Sequence, residues 1–439
     1  MKRILVALAM ATALSGCGIF KGNGNKPKTA VLGERVPVLT SETGAEVDPS
    51  IADLTVALPP AQVNADWPQP GGNAAKSPAH PALSTSLARV WTASIAGSTS
   101  KARLAAGPVV ADGRVYTIDV RAVVRAFDAR NGAVVWTTSL ATTGDGESSL
   151  FGGGVSFDGG KVYATTGLGD AVALDAATGA VVWKKRPGGP LRGAPTVNNG
   201  NVYVVSQDNQ LFALKQDTGD TVWNEAATLE NAGVFGVAAP AAAQGTVVAG
   251  FSSGELNAYR YENGRAVWQD ALSRTSISTA VASLSDIDAD PVIDQGTVFA
   301  VGQGGRMVAL ELVTGQRIWE LNVAGISTPA VSGEWVFVVT DDARLLCIQR
   351  SNGKVRWITQ LPRWRNAKTK KNVIIWTGPL LAGDRLLVAN SVGELINVAI
   401  ENGKIGTSTK IGDPVYLPPV VAGQTLYLLD NKGKLSAWR

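Results

Sequence analysis

The chain has 439 residues, of which 49 are glycine, 12 are tryptophan and only 17% are charged, a composition typical of an ordered protein rich in β-strands. A chain of this length normally forms two or three domains, but a propeller of repeated sheets is a single unit of about this size. The net charge of +4 at pH 7 is too small to indicate a nucleic-acid partner, and none is expected.

The chain begins with the pattern of a bacterial secretion signal. Lys2 and Arg3 precede an apolar run from Ile4 to Leu14, which is too short to span a bilayer as a helix. The four residues that end at Cys17 resemble a lipobox, in which cleavage leaves the cysteine thiol to carry lipid; the alternative is an ordinary signal peptide with an incidental cysteine. Gly18 resembles the residue found in lipoproteins sorted to the outer membrane. We predict a signal peptide at residues 1–16, lipidation at Cys17 and a lipid-anchored location at the periplasmic face of the outer membrane.

Residues 17–82 are predicted to be the lipidated cysteine and an extended tether. The segment is rich in Pro, Gly, Lys and Thr, a composition typical of a linker with little structure of its own. Such a tether would hold the rest of the chain away from the bilayer. His80 is the only histidine and is expected to be an exposed residue of this tether. A His-based catalytic triad or a His-rich metal site is therefore excluded.

From residue 83 onward, one spacing recurs eight times. An aromatic or aliphatic residue lies ten positions before a small residue in the pairs Tyr116/Ala126, Tyr163/Ala173, Tyr203/Ala213, Val248/Ala258, Phe299/Ala309, Phe337/Cys347, Leu387/Asn397 and Tyr427/Ala437. In the first seven copies a glycine follows the small residue by six positions. Six of those copies add a tryptophan four positions later, and the seventh has Thr407 there. A period in the forties indicates a propeller or a solenoid.

Each copy contains short alternating runs separated by Asp, Asn and Gly, a pattern typical of strands and tight turns. We interpret a copy as a four-stranded antiparallel sheet A-B-C-D, which in seven copies begins at a proline, as at Pro108. The predicted fold is all-β: an eight-bladed β-propeller at residues 83–439. The last copy ends after its third strand, so we predict that Arg89, Val90 and Trp91 supply the missing D strand and close the ring.

The strand order places the connections on two faces. The A-to-B and C-to-D connections share one face, here called the turn face, and the D-to-A and B-to-C connections share the other, here called the loop face. The D-to-A connections vary most in length and are the expected place for binding residues. Leu191 and Arg192 precede one inner strand, and Asp286 and Asp288 precede another. These four residues form a candidate docking patch for a protein; loop packing and turn capping are the alternatives.

A basic stretch at residues 363–371 lies on the same face. It is a candidate contact for acidic lipid or a partner, with a solvated loop as the alternative.

The sequence gives only weak indications of a catalytic or metal-binding residue. Ser252 lies in a Gly-X-Ser-X-Gly pattern, but the pattern falls in a B-to-C turn without a nearby base. Cys347 takes the small-residue position of its copy and is expected to be a buried thiol. The stretch from Asp286 to Asp290 begins like a calcium loop, but Pro291 and Thr297 occupy the positions of its glycine and glutamate. We predict no catalytic residue, no metal and no cofactor.

The lipobox, the eight repeats, the stretch from Leu191 to Gly193 and the stretch from Leu284 to Asp288 together resemble the BamB family of the outer-membrane β-barrel assembly machinery. Blades of this family are similar to those of pyrroloquinoline-quinone dehydrogenases. The resemblance implies a non-enzymatic, monomeric subunit that binds the periplasmic domains of BamA and other subunits of the machinery, and that assists the insertion of outer-membrane proteins. It also implies partner contacts at Leu191, Arg192, Asp286 and Asp288. The alternatives are a quinone-dependent dehydrogenase and a lipoprotein that binds peptidoglycan or nascent barrel strands.

Overall fold

The computed structural model describes residues 44–141, 152–229, 238–272 and 285–439. The described residues form eight four-stranded antiparallel sheets, each with its strands in the order A-B-C-D. The predicted eight-bladed propeller is therefore confirmed. The predicted signal peptide, Cys17 and Leu284 lie outside the described residues, as do parts of the D-to-A connections that follow blades 1, 3 and 4. No helix in the described part of the chain is long and apolar enough to cross a membrane.

The first four blades follow one another along the chain. Blade 1 contains β2 (Val109–Ala111), β3 (Arg114–Ile118), β4 (Val123–Asp128) and β5 (Val134–Ser139). Blade 2 contains β6 (Val155–Asp158), β7 (Lys161–Thr165), β8 (Ala171–Asp175) and β9 (Val181–Lys185). Blade 3 contains β10 (Leu191–Asn198), β11 (Asn201–Ser206), β12 (Gln210–Lys215) and β13 (Thr221–Ala226). Blade 4 contains β14 (Ala241–Ala243), β15 (Thr246–Gly250), β16 (Glu255–Arg260) and β17 (Ala266–Ala271).

The remaining blades complete the ring, and a small hairpin separates blades 6 and 7. Blade 5 contains β18 (Val292–Asp294), β19 (Thr297–Val301), β20 (Met307–Glu311) and β21 (Arg317–Leu321). Blade 6 contains β22 (Ala330–Ser332), β23 (Trp335–Val339), β24 (Arg344–Gln349) and β25 (Val355–Gln360), and the hairpin consists of β26 (Trp364–Asn366) and β27 (Lys371–Val373). Blade 7 contains β28 (Trp376–Ala382), β29 (Arg385–Asn390), β30 (Glu394–Ala399) and β31 (Ile405–Lys410). Blade 8 contains β32 (Val420–Ala422), β33 (Thr425–Leu429), β34 (Lys434–Trp438) and the early strand β1 (Arg89–Ser94).

The ring closes as predicted. Strand β1 pairs antiparallel with β34, and Thr92 lies opposite Ser436. Because β1 supplies the D strand of blade 8, the last sheet has the same four strands as the others and the ring has no gap between its ends.

A tryptophan on each of seven D strands joins one blade to the next. Trp136 of blade 1 donates its indole N–H to the Ala176 carbonyl of blade 2 at 2.9 Å. Its ring covers Gly179 of blade 2, where a Cβ atom would lie 2.6 Å from the ring. The same bond and glycine contact recur among the described residues at Trp91, Trp183, Trp223, Trp268, Trp319 and Trp357. The repeated glycine therefore lets the blades approach closely as well as forming the turn.

Residues 44–82, here called the N-terminal strap, differ from the expected tether. They include a short 3-10 helix, Pro49–Ile51, with Asp48 at its N-cap. The side chains of Val56 and Trp67 are buried in the hydrophobic core. This part of the segment therefore packs on the propeller. The composition misled the prediction because Pro and Gly residues can be held in place by backbone hydrogen bonds.

The N-terminal strap crosses the turn face and contacts the inner part of all eight blades. On blades 1, 2, 4, 5, 7 and 8 it forms backbone hydrogen bonds, in the pairs Trp67/Val110, Pro68/Phe157, Ala74/Ala242, Ala75/Ile293, Pro81/Gly383 and Asn64/Gly423. On blade 3 the Gln69 side chain bonds to both the N–H and the carbonyl of Val197. On blade 6 the strap packs Pro59 against Gly333. The strap therefore covers the end of the central channel at the turn face.

His80 was expected to be exposed, and this expectation is wrong. The side chain is buried, and its two ring nitrogens lie 2.8 Å from the Pro59 carbonyl oxygen and 3.1 Å from the Asp384 backbone nitrogen. The ring therefore links two parts of the strap to the A-to-B turn of blade 7, a structural role.

Candidate functional site

The first pair of candidate binding residues lies in a strand. Leu191 and Arg192 begin β10 and pair with Ser206 and Val205 of β11. Leu191 is fully buried and Arg192 is 4% exposed. The sequence placed both residues in a D-to-A connection that faces a partner. Because β10 extends four residues before Pro195, they instead belong to the wall of the channel at its loop-face end.

The structure brings Arg192 together with the second candidate pair. Its guanidinium Nη2 lies 3.2 Å from Asp286 Oδ1 and donates to the Ile287 carbonyl oxygen, also at 3.2 Å. Both charged side chains are almost inaccessible, at 3% for Arg192 and 1% for Asp286. The pair therefore joins blade 3 to the segment before blade 5, across blade 4.

Ile287 holds this segment against the B-to-C turn of blade 4. Its side chain is fully buried, and its backbone N–H donates to the Phe251 carbonyl at 3.2 Å. A Cβ atom on Gly250 would lie 2.5 Å from the Ile287 side chain, so glycine is required at that position. The backbone around Asp286 is thus fixed, and the carboxylate is presented to Arg192 in a defined position.

The buried ion pair is incompletely satisfied. Burial raises the pKa of Asp286, while the Arg192 charge and hydrogen bond oppose that shift. Asp286 Oδ2 and Arg192 Nε have no hydrogen-bond partner within the described chain. Removing one partner of such a pair leaves an uncompensated buried charge, which is strongly destabilising. Arg192 and Asp286 therefore support the shape of the surface from below and cannot themselves form its exposed part.

Asp288 is only partly buried as a residue, but one of its carboxylate oxygens is buried without a partner. Its Oδ2 accepts a hydrogen bond from the Gln303 amide at 2.7 Å, and its Oδ1 has no partner within the described residues. Burial raises the pKa of Asp288 to about 7, the Asp286 charge adds to the shift, and Arg192 opposes it. Asp341 of blade 6 also has a pKa raised by burial, to about 6. The channel mouth is thus a place where carboxyl groups titrate near neutral pH.

A cavity of about 370 Å³ runs from this mouth down to the N-terminal strap. Asp288, Asp290 and Gln303 line it near the loop face, and Lys76 of the strap lines it from below. The Lys76 ammonium is buried and donates to Thr196 Oγ1 at 3.0 Å. Burial lowers the pKa of Lys76 to about 8, and the Asp290 charge opposes the shift.

The carboxylates and the serine that were considered for catalysis or metal binding each bond to a neighbouring part of the propeller. Asp286 faces Arg192, Asp288 faces Gln303, and Asp290 accepts from the Ala239 backbone, so the three carboxylates do not converge. No group of three or more His, Cys, Asp or Glu side chains in the described ranges could hold a metal ion. Ser252 lies between β15 and β16 as predicted, and its hydroxyl donates to Asn209 Oδ1 at 2.8 Å.

The prediction of a buried thiol at Cys347 is confirmed. The side chain is fully buried between blade strands, and burial raises its pKa well above the usual range for a thiol. A thiol with a raised pKa is a poor nucleophile because it is the thiolate that reacts.

Sequence reasoning missed the part played by the N-terminal strap at this site. Lys76 lies among Gly, Asn, Ala and Pro residues, so its sequence context resembles that of an exposed linker lysine. The signals that could have revealed the strap are Ile51, Val56 and Trp67, apolar side chains that are costly to leave in water.

Comparisons with known proteins agree with this architecture. The family model described as outer membrane protein assembly factor BamB matches residues 83–147 and 120–359, more than half of the chain. The BamB of Escherichia coli (strain K12) is 28% identical over 348 residues, which are 78% of this chain and 86% of that protein. The BamB of Vibrio cholerae is 32% identical over 252 residues, which are 57% of this chain and 64% of that protein.

Solved structures with the same fold include members of two functional classes. The crystal structure of BamB from Moraxella catarrhalis has a TM-score of 0.64 and 19% identity, and covers 81% of this chain and 98% of that chain. Quinohemoprotein alcohol dehydrogenase from Comamonas testosteroni has a TM-score of 0.67 and 16% identity, and covers 86% of this chain and 81% of that chain. At these identities the likeness shows the propeller fold alone.

Proposed function

The chain belongs to the BamB family of outer membrane protein assembly factors, and on that premise we propose that it is a non-enzymatic scaffold that binds the periplasmic domains of BamA. Its role in outer membrane protein assembly follows from the family. The finer proposal is that its loop face binds BamA within the assembly machinery and thereby assists the insertion of outer-membrane proteins. In this proposal Cys17 carries the lipid that anchors the chain at the periplasmic face of the outer membrane.

The observation that carries the proposal is the difference between the two ends of the channel. The N-terminal strap covers the turn-face end through contacts with all eight blades, whereas the cavity reaches the D-to-A and B-to-C connections at the other end. A rigid ring with one covered end offers its variable connections as the natural surface for a partner. Leu191, Arg192 and Asp286 shape that surface from below, and the partly buried Asp288 lies at the channel mouth.

The proposal of a scaffold is favoured over a dehydrogenase by the residues at the channel. The resemblance to quinone-dependent dehydrogenases implies a pair of adjacent cysteines, but the only cysteines of this chain are Cys17 and Cys347. The carboxylates nearest to the mouth are engaged by Arg192, Gln303 and the Ala239 backbone. A purified sample supplied with pyrroloquinoline quinone and calcium is expected to reduce no redox dye with alcohol or aldehyde substrates.

The direct test of BamA binding is capture of purified BamA periplasmic domains by the full-length chain. The informative variant is Arg192→Met with Asp286→Leu, which removes both buried charges together and leaves no unpaired ion. We expect the wild-type chain to capture BamA and the double variant to fold but capture several-fold less, because the segment around Asp286 loses its ion pair and hydrogen bond to blade 3.

The matched control is Lys185→Met with Asp220→Leu, which removes an exposed ion pair of 2.8 Å between blades 2 and 3. This control is expected to capture BamA as well as the wild-type chain does. Circular dichroism reports whether each variant is folded. The proposal is overturned if the folded wild-type chain captures no more BamA than an unrelated propeller does.

A further inference from the structure

The hairpin between blades 6 and 7 is not part of the eight-fold repeat. Strands β26 and β27 pair antiparallel, with Trp364 opposite Val373 and Asn366 opposite Lys371. Within its turn, the Thr369 backbone N–H donates to the Asn366 side chain at 3.1 Å, so the turn has a defined shape. The whole hairpin from Arg365 to Val373 is exposed to solvent.

The base of the hairpin is fixed to the propeller. The Ile374 backbone N–H donates to the Arg363 carbonyl at 2.9 Å, and the Trp376 indole N–H donates to the Pro362 carbonyl at 2.9 Å. The Arg365 guanidinium donates to the Ser391 carbonyl of blade 7, also at 2.9 Å. The tip therefore projects from a rigid support on the loop face.

The hairpin concentrates positive charge without compensating acids. It carries Arg363, Arg365, Lys368, Lys370 and Lys371, and residues 343–383 contain no Asp or Glu. In the part of the chain that the structure describes, none of these five cations forms an ion pair. Blades 5 and 6 differ, because Arg306, Arg317 and Arg350 each pair with a carboxylate there. The field at the hairpin is therefore strongly positive and directed outward.

Apolar side chains accompany these charges. Trp364 is half-buried, and the Arg363 guanidinium lies 5.2 Å from the centre of its ring. Val373 and Ile375 are 50% and 43% exposed. Cations combined with tryptophan and exposed aliphatic groups are typical of segments that lie in the interface of a bilayer.

We propose that the hairpin at residues 363–375 binds anionic phospholipid headgroups, which gives the propeller a membrane contact independent of any lipid on Cys17. Lysine ammonium groups on a projecting tip suit a diffuse layer of phosphate charge, and juxtamembrane polybasic segments bind anionic leaflets in this way. The outer-membrane association of the BamB family places such a leaflet within reach. The contact would orient the loop face relative to the bilayer, which a flexible anchor alone cannot do.

The test is vesicle flotation with the full-length chain that carries Cys17→Ser, so that no lipid is attached at that position. Vesicles of phosphatidylglycerol and phosphatidylcholine are compared with vesicles of phosphatidylcholine alone. We expect at least tenfold more protein bound to the anionic vesicles at low salt, and most of this binding lost at 0.5 M salt because screening removes the attraction. The variant Lys368→Glu with Lys370→Glu and Lys371→Glu is expected to bind anionic vesicles no better than neutral vesicles.

The matched control reverses three exposed cations elsewhere on blades 3, 4 and 7, as Lys215→Glu with Arg265→Glu and Lys404→Glu. It changes the net charge equally and is expected to keep most of the binding. The proposal is overturned if this control loses as much binding as the hairpin variant, or if the hairpin variant still binds. It is also overturned if the hairpin variant loses BamA capture while neither chain binds vesicles, which would assign the hairpin to a protein partner.

A nitroxide on Thr369→Cys gives a second measurement in the same Cys17→Ser chain. Label can be placed selectively because Cys347 is fully buried. We expect the label to become less mobile and more accessible to membrane-dissolved oxygen when anionic vesicles are added. A label that is unchanged while the protein floats with the vesicles would place the lipid contact elsewhere and contradict the proposal.

Discussion

The two faces of the ring carry additions to the repeat that are held in opposite ways. On the turn face the N-terminal strap contributes Trp67, Lys76 and His80 to buried positions and contacts the inner part of every blade, on six of them through backbone hydrogen bonds. On the loop face the hairpin of β26 and β27 is tied only at its base and leaves its cations in solvent. Both segments look irregular in sequence because neither follows the repeat. Only the number of backbone hydrogen bonds and buried side chains separates a structural element from an interaction surface.

The largest difference between the two segments is expected when one tryptophan in each is truncated. Trp67→Ala removes a side chain that is 4% exposed and is expected to lower the free energy of unfolding by about 3–5 kcal/mol. Trp364→Ala removes a half-buried ring from the hairpin and should lower the free energy of unfolding by less than about 1 kcal/mol. Guanidinium unfolding followed by circular dichroism measures both values. Equal losses would mean that the two segments are held alike.

The buried pair at the channel mouth gives the next largest effect. Asp286→Ala leaves the Arg192 guanidinium buried beside the Ile287 carbonyl without a counter-ion, and should cost about 3 kcal/mol. Replacing both residues, as Arg192→Met with Asp286→Leu, should restore most of that loss. The denaturant midpoints of the wild-type chain, Asp286→Ala and the double variant measure both effects. If the double variant is as unstable as Asp286→Ala, the ion pair is not the reason for the loss.

Reversing the charge of Arg192 is also expected to destabilise the fold. Arg192→Glu would place a second carboxylate against Asp286 in a buried position.

Asp288 is expected to make the stability of the channel mouth depend on pH. Because burial raises its pKa to about 7 from 3.8, the folded chain binds this proton more tightly than the unfolded chain does. The stability associated with the protonated group is therefore present at low pH and is lost as the pH rises from about 4 through 7. The side chain of the Asp288→Asn variant cannot ionise. The free energy of unfolding of this variant should exceed that of the wild-type chain by about 1–2 kcal/mol at pH 8 and by much less at pH 4. Unfolding curves at the two pH values test this, and a difference that does not change with pH would contradict it.

The smallest effect on stability is expected at the hairpin tip. Lys368→Glu with Lys370→Glu and Lys371→Glu changes three exposed side chains and should alter the free energy of unfolding by less than about 0.5 kcal/mol. The same denaturant titration measures it. A large loss would show that the tip is packed in solution, which would remove the contrast with the strap.

Sequence reasoning predicted the ring well because its signals are local and repeated. Tyr116, Ala126, Gly132 and Trp136 lie within one copy, and their spacing reflects one sheet. The closing strand was also predictable, since Trp91 repeats the tryptophan position of a D strand before any copy has begun. Cys347 was identified as buried from its place in the repeat. In each case the neighbouring copies supplied the comparison that a single chain otherwise lacks.

The site was predictable only in part. Leu191 and Arg192 were expected just before an inner strand but lie within β10, and the burial of Leu191, Arg192 and Asp286 was not predicted. Arg192 and Asp286 are 94 positions apart, and only the curvature of the ring over blade 4 brings their charges within 3.2 Å. The strap was misjudged for a related reason. Its stability comes from backbone hydrogen bonds to distant strands, which leave no mark on composition.

The most direct test of the account is hydrogen–deuterium exchange of the full-length chain with and without the purified periplasmic domains of BamA. We predict that protection on binding appears in the loop-face connections at residues 186–192, 285–290 and 340–343. The strap segment 57–82 should exchange slowly in both states. Protection confined to the strap and to the A-to-B turns, with the loop face unchanged, would contradict the assignment of the loop face as the partner surface.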